Sequence, residues 1–179
     1  MFQLITTVFA VLMIALDQMS KNWAAEVLTK GEIPLIQNAL YRGYLQNTGV
    51  AFSMFSHNRW LLVGITAVMI VAVLAFFLSG KVTDKLELFS LSLILAGGVG
   101  NLIDRISLGY VIDFIDVRLI HFAIFNVADM CITVGAILLC LAVLIDDKRQ
   151  KEDKKKKMEA FDEIDKDLEM LFQKDNDYE

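Results

Sequence analysis

Asp113 and Asp129 lie in a short polar segment, residues 101–129, wedged between two long apolar runs and shared with Asn101, Asp104, Arg105, Asp116 and Asn126. A carboxylate close to hydrocarbon is costly and usually carries a partner or a task. Two carboxyls near one another cannot both ionise comfortably, so the pair holds one proton between them. Such a pair can activate a water molecule with one member and donate a proton with the other, which is peptide hydrolysis by general acid–base chemistry.

Each polar residue also has a plainer role. Asp113 sits between apolar residues that alternate, Val111-Ile112 before it and Phe114-Ile115 after it. That pattern predicts an extended piece, in which a salt bridge to Arg105 or Arg118 is the structural alternative. Asp129 directly precedes 16 apolar residues, 130–145. As a helix these rise about 24 Å against a hydrocarbon core of roughly 30 Å, which puts Asp129 at or just below one boundary. Asn126 as a helix cap and Asp129 at the dipole end are the structural alternatives. Asn101 and Arg105 share a helix face at i, i+4, and the Arg105 fork suits a carbonyl or a carboxylate. Asp104 cannot face Arg105 on one helix and needs a separate partner. Asp17 and Lys21 form another i, i+4 pair, readable as a surface ion pair worth a few tenths of a kcal/mol or as a pair that orients a substrate.

The elements that must position these residues are apolar helices. The 179 residues are 56% hydrophobic with a mean hydropathy of +0.53, too apolar for a soluble domain. Apolar runs cover 4–16, 60–78, 86–103 and 130–145, and predict four membrane helices at about 4–24, 60–78, 86–104 and 125–145. The first run lacks the basic flank and small-residue site of a cleaved signal peptide. Eleven of 17 Lys and Arg, including Lys81, Lys85 and the cluster from Lys148 to Lys157, fall on one side if the N-terminus is inside. The positive-inside rule then gives four crossings with both ends cytoplasmic and Asp113 outside.

The net charge of −5 belongs mostly to the tail, 146–179, which carries 13 acids and nine bases. No basic groove with interleaved aromatics suggests nucleic acid. Cys131 and Cys140 are about 13 Å apart along one helix, too far for a disulfide, and His57 and His121 have no ligand spacing around them, so neither metal nor cofactor is expected. The basic run 154–157 reads first as a stop-transfer anchor and alternatively as a contact to anionic lipid. Met158, Phe161, Ile164, Leu168 and Leu171 then space a weakly amphipathic helix.

Between the first two helices, Gly31 and Pro34 break helical geometry. Residues 40–45 and 50–55 read as two short strands joined at Asn47-Thr48-Gly49, within an outer β-cradle at about 33–56. Gly97, Gly98 and Gly100 let a neighbouring helix approach closely.

Five blocks of residues, in order, resemble the lipoprotein signal peptidase (signal peptidase II) family. They are Asp17-Gln18-x-x-Lys21; Asn47-Thr48-Gly49-x-Ala51-Phe52-Ser53; Gly97-Gly98-x-Gly100-Asn101-x-x-Asp104-Arg105; Gly109-x-Val111-x-Asp113-Phe114; and Phe125-Asn126-x-Ala128-Asp129. The resemblance implies a four-helix membrane bundle with a small extracytoplasmic β-cradle. It implies a catalytic dyad of Asp113 and Asp129, supported by Asp17, Lys21, Asn47, Gly49, Asn101, Arg105 and Asn126. It also implies a monomeric enzyme of the cytoplasmic (inner) membrane, surrounded by lipid, that cuts prolipoproteins before a diacylglyceryl-modified cysteine. The division expected is a peptidase domain at 1–145 and a charged cytoplasmic tail at 146–179, on which the resemblance is silent. A proton-coupled transporter would need polar residues across the whole membrane, and the apolar runs offer almost none. A Ser53–Lys21 protease and a scaffold acting through its tail are the other rivals; serine-directed inhibitors and tail deletion separate them from the dyad.

Overall fold

The computed structural model describes residues 1–37, 39–49, 58–120 and 122–176, with side chains through 159 and at 161. Its elements in chain order are α1 (Phe2–Val27), β1 (Ile33–Ile36), β2 (Leu40–Asn47), α2 (Arg59–Leu78), α3 (Lys85–Ser107), β3 (Val111–Val117) and α4 (Val127–Asn176). The chain divides into two compact units, Met1–Leu139 and Cys140–Glu179.

All four helices are long and apolar enough to cross a membrane. Their apolar side chains are largely exposed on α1 and α2, with Leu12, Trp60, Val68 and Val71 among them. Lipid rather than protein is the natural cover for such surfaces. The third helix is different: most of its apolar window is buried, and it packs against both α1 and α2. Asp84 caps its start by accepting from the amides of Leu86 and Glu87. Two glycines permit its close packing. A Cβ at Gly100 would lie 2.5 Å from Asp17 Oδ2, and one at Gly97 would run into the Ala128 carbonyl. Asn58 caps α2, its side chain accepting from Leu61 N.

The sheet is antiparallel, in the order β1-β2-β3. Its third strand grows from the segment whose alternating residues predict an extended piece. The strand at 40–45 is present and runs on to Asn47. The expected strand at 50–55 lies outside the described residues. Opposite β2, the other edge of β3 takes a short bridge from Phe125: Ile115 N donates to Phe125 O at 2.8 Å and Phe125 N to Ile115 O at 3.1 Å. This bridge delivers the chain from the sheet to the start of α4.

Three helices outrun their predicted ends, the first reaching Val27. The third continues to Ser107, where Leu108 N and Gly109 N close on Asp104 O and Gly109 turns with φ +90°. The fourth runs unbroken to Asn176, because no Gly or Pro follows Gly135 and the charged residues are good helix formers. Lys151–Asp147 at 2.7 Å and Lys155–Glu159 at 3.7 Å add i, i+4 pairs along it.

Candidate active site

The site forms where α1, α3, β2, β3 and the start of α4 meet. Asn126 is its hinge. As a residue, Asn126 opens α4 with a reciprocal cap: its Oδ1 accepts from Asp129 N at 2.9 Å, and Asp129 Oδ2 accepts from Asn126 N at 3.2 Å. The next free amide of that helix, Ala128 N, donates to Asp17 Oδ1 at 2.9 Å. The capping alternatives for Asn126 and Asp129 are thus present in the structure, and they hold both side chains in place.

The Asn126 amide also donates to Asp113 Oδ1 at 2.7 Å, so one fully buried residue bridges the two carboxyls. Asp113 Oδ2 accepts from Asn47 Nδ2 at 2.8 Å. Sheet register explains that contact: Asp113 pairs with Leu45, and Asn47 is two residues along β2 on the same face. Asn47 Oδ1 then accepts from Gly49 N at 3.0 Å, which turns the chain, and Arg105 Nη2 donates to Gly49 O at 3.1 Å.

Asp129 Oδ1 accepts from Asn101 Nδ2 at 2.8 Å. Asn101 Oδ1 in turn accepts from Lys21 Nζ at 2.9 Å and Asn126 Nδ2 at 3.2 Å. Lys21 also reaches Asp17 Oδ2 at 2.8 Å and Asp104 Oδ2 at 3.1 Å, so each of its three N–H groups has an acceptor. The Asp17–Lys21 pair is therefore no surface ion pair; both side chains are 1% exposed. Helical spacing puts them on one face, but only the packing of α3 against that face removes them from solvent.

The salt bridge predicted as the alternative for Asp113 does not form. Arg118 instead bonds Asp116 at 2.7 Å and Glu32 at 2.6 Å. Asp104 has the separate partners its position required: besides Lys21, it accepts from Gln18 Nε2 at 3.0 Å and from Ile112 N at 3.1 Å. Ile112 adjoins Asp113, so Asp104 fastens the strand that carries it. Gln18 is a positioning group that sequence reasoning left aside, and Asp104, expected only to need a partner, is a second one. Both stand inside the matched blocks, and that was the available signal.

Asp113 is 1% exposed, whereas Asp129 and Arg105 are half-buried. Burial pushes the Asp113 carboxyl up to about 6; the Asn47 amide pulls against this, and the charge of Asp129 adds to it. The arrangement is an asymmetric carboxyl pair, one member enclosed and the other open. Both are fixed by amide donors, with a cation at the rim.

Four helices long and apolar enough to cross a membrane, with a carboxyl pair where α1, α3 and the start of α4 meet the sheet, define a multi-pass membrane protein with a built-in polar site. More specifically, the chain belongs to the signal peptidase (SPase) II family, whose model matches residues 9–145. It is 42% identical over 144 residues to a lipoprotein signal peptidase of Brevibacillus brevis, covering 79% of this chain and 96% of that one. It is 42% identical over 133 residues to that of a Nostoc species, covering 72% and 82%. Two solved structures described as a bacterial membrane enzyme, at 2.3 and 1.9 Å resolution, superpose with TM-scores of 0.72 and 0.71. Each is 31% identical to this chain; they cover 80% and 78% of it, and 90% and 92% of their own lengths.

Proposed function

We propose that the chain is a membrane endopeptidase that removes signal peptides from prolipoproteins, cutting before the diacylglyceryl-modified cysteine, with Asp113 and Asp129 as an aspartic dyad. The observation that carries the dyad is Asn126, whose side chain bonds Asp113 and whose backbone N–H bonds Asp129. Family membership supports the substrate. In this reading Asp113, whose carboxyl titrates near 6, keeps the shared proton. Asp129 takes a proton from water, and the resulting hydroxide oxygen bonds the scissile carbonyl carbon. Asp113 gives its proton to the carbonyl oxygen. As the C–N bond breaks, Asp129 returns its proton to the leaving nitrogen and Asp113 recovers its own from a hydroxyl of the collapsing tetrahedral gem-diol. Arg105 and Asn47 edge the substrate backbone.

The basic residues orient both termini to the cytoplasm and the site outward, with the sheet extracytoplasmic and residues 146–179 as a cytoplasmic tail to a monomeric 1–145 peptidase. A site at the outer boundary of the cytoplasmic membrane suits a substrate whose acyl chains lie in the same leaflet.

The test uses Asp113→Asn and Asp129→Asn separately, with lipidated and unlipidated precursors. Each variant should remain folded and lose at least about 10³-fold in kcat/KM on the lipidated precursor. Near-wild-type turnover by either one sinks the dyad, and equal cleavage of the unlipidated precursor by the unaltered enzyme sinks the substrate assignment.

A further inference from the structure

Arg59 opens α2, and nothing in the proposed chemistry uses it. Its guanidinium nonetheless reaches across to the end of α3. Nε donates to Arg105 O at 2.7 Å, and Nη2 donates to Ile106 O. These carbonyls are among the last of α3, which have no amide ahead of them within the helix. Asp104 O already takes both following amides, Leu108 N at 2.7 Å and Gly109 N at 3.3 Å. Arg59 therefore supplies the donors that the helix cannot, and its charge meets the negative end of the helix dipole. A planar fork can serve two adjacent carbonyls, whereas an ammonium holds one geometry less firmly.

The surroundings are shaped to this side chain. Gly109 turns beneath it with φ +90°, and a Cβ there would come within 3.2 Å of Arg59 Nη1. The Trp60 ring lies 5.1 Å from the guanidinium carbon.

Two arginines thus meet at one residue. The side chain of Arg105 holds Gly49 O at 3.1 Å, and the backbone of Arg105 is held by Arg59 at 2.7 Å. Gly49 and Arg59 are therefore both tied to the same turn of α3. The turn held by Arg59 also leads directly into β3 and Asp113.

We infer that Arg59 is a positioning residue of the site: it fixes the end of α3 so that Arg105 is presented to the substrate. The inference rests on the proposed peptidase reading, so one arm of its test is independent of activity. In Arg59→Gln, the amides of Leu108 and Gly109 should exchange with solvent at least about tenfold faster than in the unaltered protein. Arg59→Lys should fall between the two. On lipidated precursor, Arg59→Gln should lower kcat/KM about tenfold, mainly through KM, because it acts on substrate holding rather than on the carboxyl pair.

Combined with Arg105→Lys, it should add less than about twofold to the loss from Arg105→Lys alone, since both changes remove one function. Unchanged exchange overturns the inference. So does kcat/KM within about twofold of wild type, or losses that multiply in the double variant. Failure of the unaltered enzyme to cleave would instead sink the peptidase reading and leave the exchange arm to decide on Arg59.

Discussion

The two halves of α3 are buried in opposite ways. In its first half, Leu88, Leu91 and Leu95 join Phe77 and Val82 in an apolar cluster. The buried polar groups there bond only to their own helix: Ser90 Oγ donates to Leu86 O at 2.6 Å and Ser92 Oγ to Phe89 O at 2.7 Å. In the second half, Asn101 and Asp104 bond to α1, β3 and α4. One half is held by shape, since apolar groups gain no net hydrophobic drive by leaving lipid for protein. The other is held by polar partners that each satisfy a specific neighbour, so removing one strands the rest.

The sharpest test of that contrast is Lys21→Ala. It leaves Asp17 and Asp104 buried without their shared cation, and breaking a buried pair in this way costs about 3–5 kcal/mol. Thermal unfolding in detergent should show a large drop, and activity should fall even at temperatures where the variant is folded, because Asn101 also loses its Lys21 donor. A loss below about 1 kcal/mol would show that water or a shifted proton replaces the lysine.

Leu91→Ala probes the other half. Leu91 is 3% exposed, so the change opens a cavity. In water such a truncation costs about 2–5 kcal/mol, but in lipid only the packing part remains, giving about 1–3 kcal/mol. Turnover of the folded fraction should be unchanged. A fall in kcat like that of Lys21→Ala would mean that the two halves of the helix are not independent.

The same division governs what was legible in the sequence. The helices were legible because apolar length alone dictates them. Asp113, Asp129 and their asparagines were legible as a group because the blocks that carry them sit at helix and strand ends. The partners were not. Helical spacing paired Asp17 with Lys21, yet their burial depends on Gly100 admitting Asp17 to within a Cβ's reach of α3. The choice of Asn47 and Asn126 over Arg105 and Arg118 as partners of Asp113 depends on strand register and on the Phe125 bridge. Both are long-range pairings, and no local pattern encodes them.

The smallest expected effect lies inside the site, where function and stability oppose each other. The Asp113 carboxyl is raised from 3.8 to about 6, chiefly by burial. A folded-state value above the unfolded one means that the folded protein binds this proton more tightly. The stability it contributes is complete below about 4 and is lost as pH rises through about 6. Above that, wild type carries a buried charge whose cost, read from the shift, is at most about 3 kcal/mol. Asp113→Asn removes the charge but also one of two oxygens that accept from Asn47 and Asn126, an offset of about 1–3 kcal/mol. The inactive variant should therefore unfold at a slightly higher temperature than wild type at pH 8, by about 1 kcal/mol, and this advantage should vanish or reverse by pH 4. Melting curves at the two pH values decide it. An advantage that is the same at both would mean that the Asp113 charge carries no cost in the fold, and that the enclosed member of the pair is no different from the open one.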